Sequence, residues 1–131
     1  MEYRCCKRQL RRISMVKFAR KDEVKSFTLA PGVRGRVIFS SDKMMFLLVE
    51  IEPGYVVPEH SHPHEQMGLC LRGRALFRSG EEKKIVEEGT FYWIPPGEKH
   101  EVTSLTDDVS IFLDVFSPPR IEYLKKSEIE S

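Results

Sequence analysis

The chain has few cysteines and no long apolar run, and both shortages exclude classes of protein. Three of its 131 residues are cysteine, and Cys5 and Cys6 are adjacent, so the sequence offers no disulfide framework. No apolar stretch approaches the ~20 residues that a bilayer-spanning helix needs. We therefore expect no membrane partner and, since the sequence shows no secretory leader, a cytoplasmic location.

An excess of one charge is also missing. The 21 basic and 20 acidic residues give a formal net charge of +1, so we expect no nucleic-acid partner. Residues 1–14 nevertheless hold one acid, Glu2, and five basic side chains, which are Arg4, Lys7, Arg8, Arg11 and Arg12. We interpret residues 1–14 as a basic N-terminal extension, either a start-site artefact or an arm that packs on a partner subunit. Residues 15–131 are expected to form one domain.

Short strand patterns separated by turn residues dominate the sequence after residue 33. Met44–Glu52 is a continuous apolar run rich in β-forming residues, and the dipeptide at 53–54 ends it. The other strand patterns are Gly35–Ser40, Met67–Leu71, Ala75–Arg78, Lys83–Val86, Thr90–Ile94, Glu101–Ser104 and Val109–Phe116. Together they predict an all-β sandwich or barrel. We expect one helical turn at Asp22–Phe27 and a short terminal helix at Ile121–Ile129.

Four side chains framed by turn glycines and prolines have the spacing of one metal site. An H-x-H pair on a strand, here His60 and His62, presents both imidazoles on one face. The break at Pro63 would let Gln66 lie on the neighbouring strand and offer its carbonyl oxygen, and His100 would close the site. Imidazole is the commonest ligand for zinc, nickel, iron and copper, whereas a lone histidine is usually a surface or core residue. We expect one divalent ion, which could be nickel, zinc, manganese or iron.

The expected ligands are all neutral, so the metal would keep its full charge in a low-dielectric interior. That favours Lewis-acid chemistry on a carbonyl, hydroxyl or carboxylate group. Gln66 in place of a carboxylate weakens, without excluding, an oxygen-activating iron site. Glu65 could replace Gln66 only if the strand shifted its register. His64, in the turn, is expected to face solvent or to contact the ligands rather than the metal.

The last strand pattern carries two further chemical candidates. Period two places Phe112, Asp114 and Phe116 on one face, and residues 111, 113 and 115 on another buried face. An aspartate between two phenylalanines is costly to bury unless it is paired or works in a pocket. The alternative is an aspartate at a strand edge with a basic partner. Arg120 has the geometry to clamp a carboxylate, although the pattern alone fits a surface arginine better.

Residues 54–73 and 89–104 resemble the two motifs of the cupin superfamily, G-x5-H-x-H-x3-E-x6-G and G-x5-P-x-G-x2-H-x3-N. The first has Gln66 at the usual glutamate, and the second has Ser104 at the usual asparagine. The resemblance covers about residues 34–119 and implies a single jelly-roll β-barrel with the metal in its mouth. Cupins commonly pair through their sheets, and both faces of Met44–Glu52 need cover, so we also expect a homodimer.

The segments His60–Gln66 and Asp114–Arg120 together resemble the pectin-degradation (KdgF-like) cupins. That family has a His, His, Gln, His metal site and a D-x-F-x3-R segment, and it opens the ring of 4,5-unsaturated uronate monosaccharides to linear 5-keto-4-deoxyuronates. The resemblance implies that the metal ligands are His60, His62, Gln66 and His100, and that the catalytic and substrate-binding group is Asp114, Phe116 and Arg120. The expected partner is therefore a small carboxylated sugar. The alternatives are another cupin enzyme, such as a sugar isomerase or a dioxygenase, and a non-catalytic module that binds a small ligand.

Overall fold

Two antiparallel sheets make up most of the structure, a computed structural model that describes residues 15–130. In chain order the strands are β1 (Phe27–Ala30), β2 (Val33–Ser40), β3 (Met45–Ile51), β4 (Val56–His60), β5 (Glu65–Arg72), β6 (Arg74–Ser79), β7 (Glu82–Glu87), β8 (Phe91–Ile94), β9 (His100–Ser104) and β10 (Ser110–Ser117). A 3-10 helix at Lys21–Glu23 precedes them, and helix α1, Ile121–Glu130, follows them.

The chain crosses repeatedly between the sheets after β3, which is the jelly-roll arrangement. The six-stranded sheet has the order β1-β2-β3-β10-β5-β8, and the four-stranded sheet has the order β4-β9-β6-β7. The predicted all-β, single-domain jelly roll is thus confirmed.

The core lies between the two sheets and follows from the alternation of side chains along each strand. On β10, the buried Phe112 and Phe116 alternate with half-buried residues, so one face of the strand points into the core. Strand β3 adds Leu47 and Ile51, and β9 adds Val102 from the opposite sheet. Burying a side chain of this kind contributes about 1.5–3 kcal/mol, and these contacts hold the sheets face to face.

The predicted strands are all present, and their ends agree with the structure to within two residues. The terminal helix is also found where it was expected. One expectation was wrong: the helical turn is confined to Lys21–Glu23, and Phe27 begins β1 instead of ending that turn. Phe27 is fully buried and pairs with Gly35 of β2, so its conformation depends on pairing with the next strand, which residues 22–27 alone do not reveal.

Strand β10 positions the chemistry because it lies in the middle of the six-stranded sheet. Its Asp114 pairs with Leu47 of β3 on one side and with Gly68 of β5 on the other. After β10 the chain turns at Pro118 and Pro119, with a cis peptide bond before Pro118. This turn brings the start of α1 back to the same open end of the sandwich.

The outer face of the six-stranded sheet is apolar across five neighbouring strands, β2, β3, β10, β5 and β8. Register places Phe46, Val115, Met67 and Trp93 in one row across β3, β10, β5 and β8. We call this the outer apolar face, and its exposed members are Phe39, Phe46, Met67, Leu71, Phe91 and Trp93. The face of β10 at residues 111, 113 and 115, which was expected to be buried, is half-exposed because it belongs to this surface.

Two further expectations concern the basic extension and membrane-spanning helices. The basic extension predicted at residues 1–14 lies outside the described residues. Among residues 15–130, no helix has the length and apolar composition that crossing a membrane requires.

Candidate functional site

Three imidazoles meet at the open end of the sandwich. His60 ends β4 and His100 begins β9, and the two residues are paired partners in the four-stranded sheet. His62 lies two residues beyond the end of β4, so the loop to β5 places it, not the strand alternation that the sequence suggested. The ligand nitrogens of the three rings lie within 4.8 Å of one another, close enough to hold one metal ion.

Each of these rings is oriented by a backbone carbonyl oxygen two residues away. The Nδ1–oxygen distances are 2.9 Å from His60 to Pro58, 3.1 Å from His62 to His64 and 2.9 Å from His100 to Glu98. A carbonyl oxygen can only accept, so Nδ1 carries the proton in each ring and Nε2 keeps its lone pair. Metal-binding histidines are usually held in this way. The Nε2 atom of His100 is buried and has no partner within residues 15–130, which fits a nitrogen reserved for a metal.

Burial favours the neutral form of two of these imidazoles, His62 and His100. It lowers the pKa of His62 to about 4, and the nearby charges of Arg120 and His100 act in the same direction. Burial also lowers the pKa of His100. At neutral pH both rings are therefore in the form that binds a metal.

Gln66 faces the imidazoles from the opposite sheet. The sequence placed it on the strand next to β4, but β4 and β5 belong to different sheets, so Gln66 reaches the cluster across the sandwich. Its Nε2 donates to Asp114 Oδ1 at 2.9 Å, and since a carboxylate only accepts, this bond turns the amide oxygen toward His62. Oε1 lies 3.0 Å from His62 Nε2.

The meeting of Gln66 and His62 fits a cation better than a simple hydrogen bond. A neutral imidazole has one N–H, but His62 faces two acceptors, the His64 carbonyl oxygen and Gln66 Oε1. With the proton on Nδ1, the lone pairs of His62 Nε2 and Gln66 Oε1 face each other with no hydrogen atom between them. A cation bound by both atoms would remove this repulsion. Glu65 does not take this place, because its Oε2 accepts a hydrogen bond from Trp93 Nε1 at 2.8 Å on the outer side of the sheet.

A cavity of about 320 Å³ opens beside the cluster, between the two sheets. Its walls are largely apolar and include Leu47, Val49, Val102 and Phe112. The polar, charged and aromatic side chains at the chemical end are His60, Gln66, Tyr92, His100, Asp114, Phe116, Arg120 and Tyr123. The structure thus gathers the predicted catalytic group and most of the predicted ligands around one space.

Asp114 is the buried acid of this cavity, with 6% of its surface exposed. Its Oδ1 accepts two hydrogen bonds, from Gln66 Nε2 at 2.9 Å and from the Tyr92 hydroxyl at 2.7 Å. Burial raises the pKa of Asp114 to about 6, although these two bonds and the charge of Arg120 act in the opposite direction. The alternative of an aspartate at a strand edge is wrong, because β10 has a neighbour on both sides.

Arg120 is also buried, with 6% exposed, so the surface-arginine interpretation is wrong. Its guanidinium carbon lies 5.1 Å from the ring centre of Phe116 and 4.2 Å from that of Tyr123. Nε donates to Glu122 Oε2 at 2.8 Å. Nη1 is buried and has no partner among the described residues, which is costly for a charged donor. The site therefore offers an anionic group a fixed guanidinium with one unsatisfied donor.

His64 contacts the ligand His62 but is not itself a member of the metal-binding cluster. Its backbone oxygen holds the His62 ring, and the two rings pack edge to face with centres 5.5 Å apart. Its side chain is half-buried, and burial lowers its pKa. Of the two expectations for His64, support of the ligands is the one that the contacts favour.

Three residues at the site were not predicted from the sequence, namely Tyr92, Glu122 and Tyr123. Alternation along β8 places Tyr92 with Ile94 and separates it from Phe91 and Trp93. That signal was present, but it does not say which face points inward. Glu122 and Tyr123 follow Arg120 in the first turn of α1, and only the fold of the chain after Pro119 brings Tyr123 to the cavity and Glu122 to Arg120.

Comparison with known proteins gives concordant findings. Residues 47–116 match the sequence model of the Cupin_2 family, described as a cupin domain. The chain is 31% identical over 104 residues to the pectin degradation protein KdgF of Dickeya dadantii, covering 79% of this chain and 94% of that protein. It is 29% identical over 108 residues to the H2HPP isomerase of Bacillus subtilis, covering 82% of this chain but 45% of that protein. The structure of KdgF from Halomonas sp. superposes with a TM-score of 0.75 and 26% identity, covering 81% of this chain and 98% of that one.

Proposed function

The chain belongs to the cupin family, and from that premise we propose that it is a metal-dependent enzyme that opens the ring of 4,5-unsaturated uronate monosaccharides, giving linear 5-keto-4-deoxyuronates. One observation carries the proposal: a single cavity joins a metal-binding cluster, a buried carboxylate and a buried guanidinium with an unpaired donor. The similarity to KdgF, a protein named for pectin degradation, supports this choice of substrate.

The metal would be held by His60, His62, His100 and Gln66. Its donor atoms would be three imidazole nitrogens and one amide oxygen, and all four side chains are uncharged. Nickel, zinc, manganese and iron all accept such a set. When bound, the ion supplies a Lewis acid that polarises the oxygens of the sugar.

Arg120 binds the carboxylate of the substrate in this proposal. Glu122 takes Nε, so the opposite end of the guanidinium, with the unpaired Nη1, remains for the sugar. Phe116 and Tyr123 pack against the guanidinium and fix its plane. A guanidinium held in this way recognises a planar carboxylate through two parallel hydrogen bonds.

Asp114 moves the proton that ring opening requires. The hydroxyl on the anomeric carbon loses its proton, and the bond between that carbon and the ring oxygen breaks, leaving an aldehyde and an enolate. The enolate becomes a ketone when carbon 4 gains a proton, so one proton moves from oxygen to carbon and the composition is unchanged. Asp114 Oδ1 is taken by Gln66 and Tyr92, and Oδ2 accepts no hydrogen bond from the described residues. Oδ2 is the atom that takes the proton and returns it.

The decisive experiment follows the absorbance of the conjugated double bond of unsaturated galacturonate. Metal-loaded protein is expected to remove this absorbance faster than the spontaneous reaction, and chelator-treated protein is expected to lose that ability. The methyl ester of the same sugar tests the Arg120 contact, because it lacks the charge and should react with a raised KM. Absorbance that falls no faster with metal-loaded protein than without it would count against the function.

A second candidate is another proton-shifting cupin isomerase. The observation that favours it is the similarity to an isomerase of Bacillus subtilis, although the chain spans less than half of that protein. The same cavity would serve, since Asp114 and Arg120 suit any small carboxylate whose isomerisation moves one proton. Turnover of other enolisable carboxylates in place of the unsaturated uronate would favour this candidate.

A further inference from the structure

Three residues lie in a row across three neighbouring strands of the six-stranded sheet. Tyr92 of β8 pairs with Gly68 of β5, and Gly68 pairs with Asp114 of β10. Neighbouring strands are about 4.8 Å apart, so Tyr92 and Asp114 are separated by roughly twice that distance. Their side chains nevertheless meet, since the tyrosine hydroxyl donates to Asp114 Oδ1 at 2.7 Å.

The contact exists because position 68 has no side chain. A Cβ atom there would lie 2.3 Å from Tyr92 Cε1 and Cζ and 2.5 Å from Asp114 Oδ1. The tyrosine ring therefore crosses β5 through the space that Gly68 leaves. On its other side the ring packs against Phe77, with ring centres 4.7 Å apart.

The hydrogen bond fixes which oxygen of Asp114 faces the cavity. With one donor on Oδ1, the plane of the carboxylate could swing over the wide range that its last side-chain torsion allows. Two donors, Gln66 Nε2 and the Tyr92 hydroxyl, converge on the same oxygen, and swinging the carboxylate out of this plane would lengthen both bonds. Oδ2 then keeps one position, and the cavity side of the carboxylate has no donor from the described residues.

We propose that Tyr92, reaching Asp114 through the gap at Gly68, is a positioning residue for the proton transfer. The inference rests on the proposed ring-opening function, to which it adds a residue outside the predicted catalytic group. Tyr92 acts on the carboxylate and not on the sugar, so it affects the chemical step and leaves substrate binding to Arg120.

The first test is Tyr92→Phe, which removes one oxygen and keeps the ring packing against Phe77. A hydrogen bond to a charged group is worth about 1.5–3 kcal/mol, so we expect kcat to fall by about 10–100-fold. KM and metal content should stay at the wild-type values. The matched control is Tyr55→Phe at an exposed tyrosine outside the cavity, which should leave kcat unchanged.

A double-mutant cycle separates positioning from a general structural effect. If Tyr92 acts through Asp114, Tyr92→Phe causes no further loss of kcat in the Asp114→Asn background. Equal losses in both backgrounds would overturn the proposal, as would a wild-type kcat in folded, metal-loaded Tyr92→Phe. Gly68→Ala is the second variant if Tyr92→Phe does not fold. The added methyl meets the tyrosine ring and Asp114 Oδ1 rather than backbone, so both side chains must shift, the contact between them is disturbed, and a loss of kcat at least as large is expected.

A readout without substrate distinguishes this proposal from the proposed function. The infrared difference spectrum between wild type and Asp114→Asn isolates the bands of the Asp114 side chain. Those bands should shift when Tyr92→Phe is introduced into both proteins. Wild-type protein that does not turn over unsaturated uronate would defeat the function, while the infrared shift would still show the positioning contact. Bands that stay unchanged would overturn the contact whatever the substrate is.

Discussion

Replacing Asp114 with asparagine is expected to stabilise the metal-free protein while removing most of its activity. The asparagine carbonyl oxygen can accept the hydrogen bonds from Gln66 and Tyr92 that Oδ1 accepts now, and the amide group then faces the cavity. The shape of the side chain is kept and the buried charge is removed. Activity should fall by about 10²–10⁴ in kcat, the usual worth of a general acid or base.

The size of the stabilisation follows from the pKa of Asp114, which burial raises to about 6. The ordinary aspartate pKa is about 3.9, and each pKa unit corresponds to about 1.4 kcal/mol, so the ionised carboxylate costs the folded state up to about 3 kcal/mol. A carboxyl group with a raised pKa favours folding while it is protonated. Its contribution is complete below about pH 4 and is lost as the pH rises through about 6. Asp114→Asn should therefore be more stable than wild type by about 1–3 kcal/mol at pH 7 and nearly equal to it at pH 4.

Urea unfolding of chelator-treated protein at the two pH values measures this difference. Metal-free protein is required, because a bound cation would itself stabilise the carboxylate. The control is Asp107→Asn, at an exposed position between β9 and β10, which should change the free energy of unfolding by less than about 0.5 kcal/mol at either pH. A variant of Asp114 that is less stable than wild type at pH 7, or equally stabilised at pH 4, would refute the reasoning.

The remaining predictions concern the metal, the arginine, the outer apolar face and the buried cysteine. Purified without chelator, the protein should contain about one divalent ion per chain by elemental analysis, and His100→Ala should lower this sharply because three imidazole ligands become two. Arg120→Lys should raise KM more than it lowers kcat, since lysine keeps the charge but cannot make two parallel hydrogen bonds to a carboxylate. A fall in kcat as large as the rise in KM would place Arg120 in the chemical step. Light scattering at micromolar concentration should show a homodimer, and Phe91→Asp on the outer apolar face should give a monomer; a wild-type monomer would rule this out. Cys70 should resist alkylation in the folded protein at pH 8, because burial raises its pKa, and labelling as fast as in urea would contradict this.

The sequence was most informative where chemistry and spacing agree. The pair His60 and His62, with His100 after a proline turn, predicted a cluster that the fold does assemble. Asp114 was identified by the cost of placing a carboxylate between two phenylalanines, and the structure shows it buried with neutral donors. In both cases the argument depended on residue type and on spacing along the chain, which are local properties.

The sequence was least informative where the answer depends on how distant segments meet. It placed Gln66 beside the histidines on a neighbouring strand, because spacing along the chain does not say to which sheet a strand belongs. The pattern alone favoured a surface position for Arg120, because only the turn at Pro118 and Pro119 determines where that side chain goes. Tyr92 was missed since its contact with Asp114 requires three strands in one register and a glycine between them.

The division of the cluster between the two sheets gives a bound ion a mechanical role. His60 and His100 belong to the four-stranded sheet, whereas Gln66 belongs to the six-stranded sheet. The strands of the two sheets are not paired with each other by backbone hydrogen bonds. An ion held by all three residues would cross-link the two sheets at that end of the sandwich. Because a ligand that binds only the folded state stabilises that state, the ion would raise the free energy of unfolding of the protein. Hydrogen exchange should report this directly: on removal of the metal, amides of β4 and β5 near the cluster should exchange faster, while those of β3 should not.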